Sequence, residues 1–146
     1  MKKTLCLNLL LLFCTGLVLG SPNISVVADS KESKLRYASA QHEIISILLQ
    51  ERQYDAVLSE FQKILMLNLD GESEILVVQE VWQIIDSLVA AQQFSLAHKL
   101  IDSALQKMTR PDNEFTLQML KGKVYKEQGL LKQALEVYRA AQEPQH

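Results

Sequence analysis

The chain has 146 residues, of which 48% are hydrophobic and 22% charged, and its formal net charge is −2. That size and apolar content fit one folded domain and exclude a chain disordered throughout. The absence of a basic excess excludes strong nucleic-acid binding.

The first element is a leader. Lys2 and Lys3 precede an uncharged run from Thr4 to Leu19, which closes on Val18-Leu19-Gly20 before Ser21 and Pro22. A positive end, an apolar stretch and a small residue at the cut predict a secretory signal peptide over residues 1–20, removed after Gly20. The run is short of the roughly 20 residues that a spanning helix needs, which disfavours an uncleaved membrane anchor. Cys14 matches a lipoprotein box only loosely, because Phe13 stands where that pattern calls for a small residue. Cleavage removes Cys6 and Cys14 and leaves 13 basic against 17 acidic residues. An exported protein then carries no disulfide, which a core of adequate size does not need. The MKKT opening points to a bacterial source, and the expected location is periplasmic or secreted. The only expected membrane contact is through the leader, if it stays uncleaved. Residues 21–37 follow as a polar, serine-containing linker.

From there on, apolar residues recur in steps of three and four, and strand-like alternation is scarce. The successive stripes are Ile44, Ile45, Leu48 and Leu49; Val57, Phe61, Ile64 and Leu65; and Val78, Val81, Trp82, Ile85, Leu88 and Val89. They continue with Leu96, Ala97, Leu100, Ile101, Ala104 and Leu105; Leu117, Leu120, Val124 and Tyr125; and Leu131, Ala134, Leu135 and Tyr138. Breakers fall between them at Gly71, Pro111-Asp112-Asn113 and Gly129, and polar joints at Gln50–Gln53 and Gln92-Gln93. The expectation is an all-α domain over residues 38–146, made of six helices in three stacked hairpins. The longer loops are expected near Leu67–Ser73 and Arg110–Glu114.

The hairpins repeat one another. Tyr54-Asp55-Ala56-Val57 overlays Phe94-Ser95-Leu96-Ala97, and the third copy places Ala134 at the position of Val57 and Ala97, with spacings of 40 and 37 residues. In the last copy Gly122, Tyr125, Gly129, Ala134, Tyr138 and Ala141 stand at the spacings of the tetratricopeptide repeat, which this chain resembles. The likeness is strong at the end and degenerate at the start, where Val57 and Ile64 replace small residues. Each match has a mechanical reason. Gly122 and Ala134 are small where two helices cross, Gly129 admits a positive φ, and Tyr125 and Tyr138 fill the gap between helices.

The resemblance implies a non-catalytic module that binds a protein partner or partner peptide in a groove lined by the first helix of each hairpin. By register the groove positions are Gln79, Trp82 and Asp86 in the second hairpin and Met119, Lys123 and Lys126 in the third. His42, Ser46 and Leu49 are their counterparts in the first. Trp82 is either the groove anchor or, one register step away, a core residue in place of Val81. A repeat array usually ends on a polar capping helix, and here the sequence given stops soon after the last hairpin. Leu131 and Leu135 are therefore expected to form an exposed end, where self-association or a larger envelope complex would be built.

No catalytic grouping stands out, so no enzyme activity, cofactor or metal is expected. His42-Glu43 opens a zinc-protease-like string, but Ser46 stands where the second histidine belongs. The acidic string Asp70-Gly71-Glu72-Ser73-Glu74 lacks the alternation of a calcium loop and is expected to be a plain loop. Residues 41–114 carry a net −7 and residues 115–146 a net +2, with Lys121, Lys123, Lys126 and Lys132 crowding the last hairpin.

Overall fold

The computed structural model describes residues 30–142. The expected signal segment, the first part of the expected linker, and His146 lie outside the described residues. Among the described residues the protein is all-α: α1 (Lys31–Gln50), α2 (Tyr54–Leu65), α3 (Glu74–Ala90), α4 (Phe94–Leu105), α5 (Pro111–Glu127) and α6 (Leu131–Gln142), with a single 3-10 turn at Gly71–Ser73.

Helix α1 begins inside the segment expected to be linker. Ser30 caps it by accepting the Ser33 N–H at 3.2 Å, and Glu32 pairs with Arg36 one turn on at 2.6 Å. Residues 31–37 are therefore helical: a cap and an i,i+4 ion pair start the helix before its apolar pattern does. The start of α5 corrects a second expectation. Pro111 occupies the first helical turn, and Asp112 and Glu114 follow in it, so 111–114 opens a helix instead of forming a loop. Proline lacks an N–H where none is needed, and acidic residues suit a helix N-terminus.

Three of the interhelical turns have one geometry. Arg52, Gln92 and Gly129 all take positive φ (58°, 58° and 81°) directly after a helix. In each, the next residue donates back across the turn: Gln53 N–H to Leu48, Gln93 to Leu88 and Leu130 to Tyr125, at 2.8, 2.8 and 2.9 Å. These are Schellman closures, in which a left-handed residue lets the chain satisfy the last helix carbonyls and reverse. Their spacing reproduces the sequence overlay.

The core is continuous. Val57, Phe61, Val81, Ile84, Ile85, Leu88, Ala97, Leu100, Ile101, Leu117, Leu120 and Val124 are buried in one cluster. Helix α3 lies at its centre and packs on α1, α2, α4 and α5. By contrast α6 touches only α5 among the described helices, and Ala134 is its one buried residue. Ile44, assigned above to an apolar stripe, is exposed, and Ile45 alone of that pair enters the core.

The acidic string is not a plain loop. Glu74 opens α3 and is fully buried. Its carboxylate accepts the Thr109 N–H and hydroxyl at 2.7 and 2.8 Å, the Arg110 N–H at 3.1 Å and the Asn113 amide at 2.6 Å. Burial pushes this carboxyl up, but the hydrogen bonds from Asn113, Thr109 and Arg110 together outweigh it and hold the group below its ordinary value. One buried charge thus fastens the start of α3 to the α4–α5 loop and to the first turn of α5.

Candidate partner-binding site

Trp82 lies on α3 one residue after the fully buried Val81, and 40% of its surface is exposed. Val81 therefore holds the core position and the indole faces outward. Lys123, on α5, brings its ammonium 5.0 Å from the centre of the indole ring and 2.8 Å from Asp86 Oδ1. Trp82 and Asp86 are four residues apart and so share a helix face, which is why one lysine from the neighbouring helix reaches both. The cation over the ring and the half-exposed ion pair hold the indole in place; neither is a large stabilising term in open water.

Met119 stands one turn before Lys123 on α5 and is exposed, as is Phe115 a turn earlier. Lys126 is exposed at the end of the same helix. Gln79 is not part of this group. It lines a cleft of about 350 Å³ between α1 and α3, with Leu35, Ala38, Ser39, His42 and Glu80 among its walls. There His42 Nδ1 lies 2.7 Å from the nearly buried Glu80 carboxylate. The expected groove residues thus fall into an α3–α5 group around Trp82 and an α1–α3 cleft around Gln79.

A parallel contact joins α4 to α5. His98 stacks on Tyr125 with ring centroids 4.2 Å apart, and its Nε2 lies 3.4 Å from Gln128 Oε1. Burial, reinforced by the Lys121 charge, lowers the affinity of His98 for a proton, against the Gln128 contact and the Asp102 charge. Lys121 itself pairs with Asp102 at 2.7 Å. Two of the lysines that crowd the last hairpin in sequence are therefore committed to carboxylates of earlier helices.

Sequence reasoning missed the roles of Glu74, Glu80 and Phe115. Glu74 is expected in a plain loop, Glu80 carries no expectation, and Phe115 lies outside the apolar stripe of its helix. Nothing in local spacing marks a carboxylate whose partners lie 35 to 39 residues away.

No protein-family model, curated protein or solved structure matches this chain. Among the described residues no group of three or more His, Cys, Asp or Glu side chains is arranged to hold a metal ion. No helix among them is long and apolar enough to cross a membrane. Chemically, the Trp82 group offers an apolar plate, a cation and a carboxylate on two packed helices.

Proposed function

We propose that the protein is a tetratricopeptide-like array of three helical hairpins that acts as a non-catalytic interaction module in a bacterial cell envelope. In this reading the leader directs export and the mature chain docks a segment of a protein partner across α3 and α5. Trp82 supplies the apolar anchor, Met119 extends it, and Lys123, Asp86 and Lys126 set polarity, with Gln79 at the neighbouring cleft. The observation that carries the reading is the outward-facing Trp82, held by Lys123 and Asp86 beside a buried Val81. Large aromatic side chains fixed at a surface are the residues that dominate binding energy at interfaces. The three equivalent turns support the repeat register on which the groove assignment depends.

A second reading is favoured by α6. Leu131 and Leu135 are 66% and 46% exposed, and a structural subunit would use that end as its dock.

The test is a crosslinking pull-down from the native envelope, with tagged mature protein beside folded Trp82→Ala and Leu135→Glu versions. Capture of one partner that Trp82→Ala alone loses supports the groove. Loss with Leu135→Glu alone transfers the interface to the α6 end. Capture by all three versions equally removes both assignments.

A further inference from the structure

Among the described residues the array has two exposed apolar ends, and their chemistry matches. At the start, α1 faces α3 with Leu35, Ala38, Ser39 and His42, which line the cleft between them. Tyr37, Ala40, Ile44 and Ile47 follow one another in steps of three and four, and Ile44 lies about 180° around the helix from Leu35. The stripe therefore points away from α3, out of the start of the array. All four residues are exposed, Ile47 at 57%. At the finish, the turn register places Leu135 where His98 stands one pair earlier, and His98 packs on Tyr125 of the following pair. Leu135, with Leu131 beside it, thus occupies the seam that a further pair would cover. Phe115 of α5 is exposed as well and widens the same end.

The rims differ in charge. Beside the α1 stripe stand Glu43 and Glu51, while Arg36 on that side is occupied by Glu32. Beside Leu131 and Leu135 stand Lys132 and Arg139, with Glu136 the one acid among them.

We infer that copies of this protein stack head to tail, with the Tyr37–Ile44–Ile47 face of one copy seated on the Leu131–Leu135 face of the next. The second copy is the occupant that fits because α1, the first described helix, opens the same kind of pair, with its outer face apolar and its rim acidic. Such a contact joins two different surfaces and does not close on itself, so it builds chains instead of a symmetric dimer. The inference rests on the repeat register used above and is independent of the Trp82 site.

Sedimentation of the full mature chain tests it, with Ile47→Glu and Leu135→Glu as variants. Both side chains are about half exposed, so neither glutamate is placed in the core, and thermal melts check that both variants remain folded. Wild type is expected to grow from monomer through dimer to longer species as concentration rises. Each variant alone is expected to be monomeric, because each lacks one end. An equimolar mixture of the two is expected to give a one-to-one dimer and nothing longer, since each variant contributes its intact end. A dimeric Ile47→Glu protein overturns the inference in favour of a symmetric α6 contact. A monomeric wild type, or a mixture that stays monomeric, overturns it outright. Trp82→Ala is expected to assemble as wild type does, so a failed stack and a failed groove are read separately.

Discussion

The ring of Tyr138 on α6 lies directly over the Cα of Gly122 on α5, so close that a Cβ on residue 122 would overlap the ring. Because α6 packs on no other described helix, this crossing carries much of its attachment. Gly122→Ala is expected to destabilise the protein by about 1–3 kcal/mol, the cost of overpacking against the ring. In a double-mutant cycle with Tyr138→Ala, measured by urea unfolding, the alanine penalty is expected to shrink once the ring is gone. An unchanged penalty would locate the cost in the backbone of α5.

Glu74 makes stability depend on pH in a defined window. Its folded-state carboxyl binds a proton less readily than the ordinary value of 4.5. The unfolded chain therefore takes up that proton first as acid is added. The stabilisation is complete above pH 4.5 and is lost as pH falls through the depressed folded value. Glu74→Gln keeps the shape but offers the surrounding donors one acceptor oxygen instead of two, so a loss of about 3 kcal/mol is expected at pH 7. The acid limb of the stability curve should flatten in that variant.

His98 acts in a higher window. Protonation is disfavoured in the folded protein, so the unfolded chain binds the proton first as pH drops below 6.5. The contribution is present above that pH and declines below it. Replacing His98 with Gln is expected to remove the slope between pH 6.5 and the Glu74 window, as followed by melting temperature across a buffer series.

The turn residues give a pair of opposite expectations. Gln92 takes a left-handed conformation that glycine adopts without strain, and Gln92→Gly should stabilise by about 0.5–1 kcal/mol. Gly129 takes the same conformation with open space around it, so Gly129→Ala should cost about 1 kcal/mol through backbone strain alone. Thermal melts that moved in one direction for both would contradict the shared geometry.

Neighbours Val81 and Trp82 separate packing from recognition. Val81→Ala should cost about 2 kcal/mol by leaving a cavity. Trp82→Ala should cost a similar amount, because at 40% exposure more than half of the indole is still covered, but it should in addition abolish partner capture. Calorimetry on the two variants checks this before any binding experiment is interpreted.

Much of the architecture was legible in the amino-acid order. Apolar steps of three and four specify helices because a helix presents one face every 3.6 residues, and this period persists from Ile45 to Tyr138. Val57, Ala97 and Ala134, which the spacing overlays, are all buried. The positive φ at Gly129 was legible too, because glycine is the residue that turn favours. Other features were decided only when helices met. Val81 and Trp82 are adjacent apolar residues on α3, and only the positions of its neighbouring helices determine which one enters the core. Ile44 and Ile47 are as apolar as Ile45, yet they lie on the side of α1 that no other described helix covers. Glu74 reads as part of a plain loop until the Thr109–Asn113 segment folds over it and supplies the donors that make a buried charge tolerable. Local periodicity states which residues share a face; which faces are covered, and which charges find partners 35 or more residues away, is settled by packing alone.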